Sequence, residues 1–135
     1  MTQDSHFHQL LQTAADQPQP QRLLFVFASA ELPDQPTPEQ RRRFLAGEGG
    51  ALAPLMCVDK APGDLPDFDA LAAESRRAGP PWQVVFAAGL AGADGRPPTA
   101  ARIESALEKM VNAVLLGVVG QFAAYNPSGE PIQVV

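Results

Sequence analysis

The chain has 135 residues, 45% hydrophobic and 19% charged, a balance that supports a folded core and excludes wholesale disorder. Its formal net charge of -5 repels a phosphate backbone, so nucleic acid is not expected as a partner. A single cysteine excludes an intrachain disulfide framework and any cysteine-based zinc cluster.

No stretch of about 18 residues is apolar and free of charge, so no membrane span is expected. Residues 1–16 lack a basic region followed by an apolar core, so no signal peptide is expected either. With one cysteine, these features point to a cytoplasmic protein. Length alone suggests one domain over 1–135, with an N-terminal helix and linker in 1–20.

In chain order, Phe7, Leu10, Leu11 and Ala14 share one face of a helix predicted over 4–16. Pro18 and Pro20 end it. Leu23 to Ala28 is then continuously apolar, which a strand tolerates only when both of its faces are covered. This run reads as the interior strand of a sheet. Thr37-Pro38-Glu39-Gln40 carries the residues of a capped helix start, with Gln40 closing a capping box. Phe44 and Leu45 are expected to face the sheet, and Gly47 with Gly49-Gly50 to end that helix. Arg41-Arg42-Arg43 fans around the same helix and reads as a solvated face.

A second strand covers 51–58, its paired part beginning at Leu55 because Pro54 donates no ladder bond. The next helix starts near Asp64 or Asp67, runs to Ala78 and turns Phe68, Leu71, Ala72 and Ser75 inward. Trp82 to Ala88 forms a third apolar strand, followed by a loose loop with an Asp94-Gly95 turn signal. Thr99 caps the longest helix, ending at Leu116 before Gly117. Ile103, Leu107, Met110, Val111, Val114 and Leu115 make its apolar stripe; Glu104, Glu108, Lys109 and Asn112 take the opposite face. In 117–135 the tetrad Asn126-Pro127-Ser128-Gly129 fits a type I turn, predicting a hairpin of 118–125 with 132–135.

The order αβαβαβαββ predicts an α/β fold with a mixed, mainly parallel sheet of four to five strands. Helices would cover its faces and a C-terminal β-hairpin would close it. Ligands in such sheets bind beyond the carboxyl ends of the parallel strands. Those ends place Ser29 and Glu31, Asp59 and Lys60, and Gly89 and Gly92 side by side as a candidate polar site.

The other chemistry is sparse. Gly89 to Gly95 has the glycine density of a dinucleotide loop but not the GxGxxG spacing, and Pro97-Pro98 separates it from its helix. Cys57 lies in an apolar strand and is expected to behave as a small hydrophobe. His6 and His8 stand at i and i+2, which turns them to different sides of a helix. No metal site and no cofactor is expected.

The segments RLLFVFASAELP and GGALAPLMCVDKAP, with the NPSGEP hairpin, resemble a family of small bacterial proteins often labelled "ribonucleotide reductase subunit alpha". The matching residues are strand-core and turn positions, so the resemblance implies a shared fold. It carries over no catalytic residue. Cys57 alone cannot supply the three thiols of a reductase catalytic subunit, so that activity is not expected of this chain. The resemblance leaves association with a reductase or another enzyme as a secondary reading.

These observations favour a non-catalytic binding or protein-interaction module. Its expected contact is the edge of the C-terminal hairpin with the apolar Val134-Val135 end, pairing with a partner or a second copy. The alternative is a small enzyme or ligand sensor using Ser29, Glu31, Asp59 and Lys60.

Overall fold

Residues 5–31, 35–45 and 51–133 are described by a computed structural model. Outside them lie the helix stop at Gly47 and Gly49-Gly50 and the Val134-Val135 end, together with the side chains of Glu31, Arg43, Phe44 and Ala51. The elements run α1 (His6–Ala15), β1 (Gln21–Glu31), α2 (Pro38–Leu45), β2 (Ala51–Lys60), α3 (Phe68–Ala78), β3 (Val84–Ala91), α4 (Ala100–Leu116) and β4 (Ala123–Tyr125). A 3-10 turn, Pro62–Asp64, precedes α3.

Short polar side chains start the helices. The Ser5 Oγ accepts from the His8 N–H at 3.1 Å, and Asp67 Oδ1 from the Ala70 N–H at 2.9 Å. Thr99 Oγ1 accepts from the Arg102 N–H at 3.2 Å. The Thr37–Gln40 capping box closes in both directions, at 2.9 and 3.1 Å. Gly117 ends α4 in the left-handed conformation, at φ 75°.

The sheet order is β2-β1-β3-β4, and each neighbouring pair is antiparallel. This corrects the mainly parallel sheet expected from the alternation of strands and helices. A parallel β1–β2 pair needs a helix that returns the chain along the whole strand. β1 has 11 residues and so spans roughly 36 Å. The 8 residues of α2 cover only about 12 Å, and among the described residues α2 packs extensively on no other element. The chain therefore re-enters beside β1 in the opposite direction, with Leu23 facing Lys60 and Glu31 facing Ala51. β2 and β3 do run the same way, linked through α3, but β1 lies between them.

β1 is an interior strand, with Leu23 to Ala28 all buried. Period-2 alternation divides its side chains between two cores. Leu23, Phe25 and Phe27 join Phe7 and Leu11 of α1 and Phe68 and Leu71 of α3 on one face. Leu24, Val26 and Ala28 meet Met110 and Val114 of α4 on the other. The inward set of α3 is the predicted one: Phe68, Leu71, Ala72 and Ser75 are buried. Ser75 is satisfied there, because its Oγ donates to the Ala72 carbonyl at 2.6 Å and accepts from the Trp82 indole at 2.8 Å. Leu115 departs from its predicted inward position and is 59% exposed.

Two turns shape the ends of the sheet. β3 continues to Ala91, and Ala93 and Arg96 then exchange backbone hydrogen bonds around Asp94 and Gly95, at φ 54° and 76°. Two successive positive φ angles mark a type I′ turn, so the expected loose loop is a tight hairpin. At the C-terminus the Gly129 N–H donates to the Asn126 carbonyl at 2.9 Å, closing the type I turn predicted at Asn126-Pro127. Of the strand expected over 118–125, only Ala123–Tyr125 pairs with β3. Its outer side is occupied by the returning chain, through the Tyr125–Pro131 bridge and the Ile132 N–H on the Ala124 carbonyl.

Candidate functional site

The antiparallel sheet separates the six strand-end residues expected to form a polar site. Ser29 and the backbone of Glu31 lie at the end of the sheet where β2 begins, opposite Ala53 and Ala51. Asp59, Lys60, Gly89 and Gly92 lie at the other end, beside the start of β1: Lys60 and Gly89 both flank Leu23, and the Gly92 N–H donates to the Pro20 carbonyl. The side chain of Glu31 is outside the described residues.

Within the second group the two charged residues point apart. Asp59 faces the α4 side and takes Arg22 at 2.8 Å; Arg22 also lies 3.9 Å from Asp64. Lys60 faces the α3 side and pairs with Glu74 at 2.7 Å. Each charge is thus engaged with an opposite one on its own face. Gly92 has a structural role, since a Cβ there would collide with the Arg96 carbonyl in the tight hairpin. Among the described residues no group of three metal-ligating side chains comes together.

A concave feature of the described surface lies instead between β2 and α4. It is an open groove of about 640 Å³. Cys57 and Asp59 form its strand wall, and Ile103, Glu104, Leu107 and Glu108 belong to its helix wall. The helix residues recur at three- and four-residue spacing, which places them in one row along the side of α4. Ile103, Leu107 and Val111 contribute apolar surface. Glu104 and Glu108 are exposed and engage no hydrogen bond or ion pair among the described residues. Sequence spacing assigned these glutamates to a solvated face; the row they form borders the groove. On the opposite face of β2 a smaller space of about 180 Å³ is lined by Phe27, Met56, Val58, Leu71 and Glu74.

Cys57 is exposed, which corrects its expected burial. β2 is an edge strand, and the thiol lies in the wall of the open groove between β2 and α4. A thiol reagent at neutral pH should therefore label the folded protein at no less than about a tenth of the denatured rate. Labelling slower by a thousandfold would place the thiol inside the core.

The histidines also gain a definite placement. His6 Nδ1 lies 2.7 Å from the hydroxyl of Tyr125, and their rings are 5.6 Å apart. In the Nε2–H tautomer of His6 the hydroxyl donates and Nδ1 accepts; in the Nδ1–H tautomer the direction reverses. Tyr125 is fully buried, and loss of solvent raises its pKa from 10.0 to about 12. This pair ties α1 to the C-terminal hairpin across 119 residues of sequence.

Among the described residues no helix is long and apolar enough to cross a membrane. Comparison with known proteins adds no relative: no family model, no curated protein and no solved structure matches the chain.

Proposed function

We propose that the protein is a non-catalytic interaction module whose docking element is β2. The observation that carries this reading is the outer edge of β2, which pairs with no other strand among the described residues. A strand edge offers backbone donors and acceptors to an incoming chain, and natural proteins leave long ones open mainly where they are used. β2 has 10 residues and a groove along one face. The C-terminal edge expected from the sequence is less suited, because β4 has 3 residues and the returning chain occupies its outer side. The pairing of Asp59 with Arg22 and of Lys60 with Glu74 supports a structural use of these charges over a catalytic one.

Affinity purification from the native cell, comparing the wild type with Cys57→Arg, tests this. Cys57 is exposed, so the variant should keep the wild-type melting temperature while obstructing the groove. A partner recovered with the wild type and lost with the variant is expected. A monomer recovered alone, or a partner held equally by both, would count decisively against the reading. The resemblance to the small proteins labelled as reductase subunits makes a reductase the first partner to look for.

A further inference from the structure

We infer that β2 receives an extended segment of a partner protein in which long basic side chains alternate with short apolar ones. The inference rests on the reading of β2 as the docking edge and adds the chemistry of what docks there. A chain added to an edge strand keeps the strand period of two, so its side chains turn alternately to the two faces of the sheet. Here those faces differ.

On the α4 face the alternate side chains enter the groove of about 640 Å³. A lysine or arginine fits it in two ways at once. Its aliphatic stem lies on Ile103, Leu107 and Val111, and its cation reaches Glu104 and Glu108. Both carboxylates are available, because neither has a partner among the described residues. Asp59, by contrast, is already answered by Arg22. An acidic side chain in this position meets two like charges.

On the α3 face the space is about 180 Å³, and its one acid, Glu74, is engaged by Lys60. A short apolar side chain suits this wall of Phe27, Met56, Val58 and Leu71. The protein's net charge of -5 adds a longer-range attraction of the same sign. The chain itself contains no stretch in which basic and apolar residues alternate, so the segment belongs to a different protein and not to a second copy.

Three eight-residue peptides serve as probes, in which valine alternates with lysine, with threonine or with glutamate. They are titrated into the full-length protein while backbone amide shifts and Cys57 labelling are followed. The valine–lysine peptide should bind at least about tenfold more tightly than the valine–threonine peptide. It should shift the amides of 55–60 and protect Cys57. Glu104→Gln with Glu108→Gln should bring the two affinities within about threefold, with the fold unchanged.

Equal affinities for the lysine and threonine peptides, with shifts at 55–60, overturn the basic chemistry and leave the docking edge standing. Lysine-peptide binding that the glutamine variant does not weaken, or that shifts amides elsewhere, is general attraction to an acidic surface and overturns the inference. If no peptide perturbs 55–60 at millimolar concentration, both the inference and the docking edge fail.

Discussion

Phe25→Ala is expected to destabilise the protein by about 3–5 kcal/mol, the cost of removing a fully buried phenyl ring. Phe25 is 0% exposed at the middle of β1, between Val58 of β2 and Ala87 of β3. Its ring lies 6.1 Å from that of Phe7, which in turn meets Phe68 at 5.1 Å and Tyr125 at 5.3 Å, both edge-on. Truncation removes the ring on which this aromatic cluster rests and leaves a void that the flanking strands cannot close, because their pairing fixes them on both sides. Urea unfolding reads the effect as a lower midpoint at an unchanged slope. A domain of this size has about 5–15 kcal/mol in total, so the variant sits near the threshold of folding. Leu45→Ala, at a side chain 78% exposed, is the matching control and should leave the midpoint unchanged. A Phe25 variant as stable as that control would mean that the face between β1 and α1 is not packed as described.

The burial of Phe25 was legible in the sequence because it is local information. An uninterrupted apolar run has one structural solution, a strand covered on both faces. The inner face of α3 was legible for the same reason, from the spacing of Phe68, Leu71, Ala72 and Ser75. Strand direction was not. It depends on whether a connection returns the chain along the strand, and a capped helix of eight residues looks like a crossover until its length is compared with that of β1.

The candidate site suffered most from this. Once β1 and β2 are antiparallel, Ser29 and Asp59 belong to opposite ends of the sheet, although each ends an apolar run. The exposure of Cys57 did leave a signal. Pro54 lies where the register with β1 shifts, and proline within a strand marks an edge. Glu104 and Glu108 left none, since a glutamate beside a groove and one facing solvent obey the same helical spacing.

The second large effect concerns Tyr125, the only tyrosine in the chain, whose phenolate absorbance therefore reports on one site. In the folded protein its ionisation should be centred at about 12, against 10.0 for the ordinary group. Burial is the cause: the hydroxyl is cut off from water and would have to carry its negative charge among Phe7, Phe68 and the β3 core. The consequence for stability follows from proton binding. Below pH 10 the phenol is protonated in both the folded and the unfolded chain, and this site contributes no pH dependence. Between pH 10 and 12 the unfolded chain has released the proton while the folded chain retains it, so stability falls as pH rises. A shift of this size corresponds to about 2–3 kcal/mol, at roughly 1.4 kcal/mol for each pH unit. Tyr125→Phe removes the titrating group and should remove that part of the alkaline loss. At neutral pH its own cost should be only about 1 kcal/mol, because His6 is exposed and can turn to water. Melting curves of both proteins across this range measure the difference directly. A phenolate midpoint near 10 in the folded protein would show that α1 does not hold the hydroxyl away from solvent. The contact between His6 and Tyr125 would then not be the tie that closes this face of the sheet.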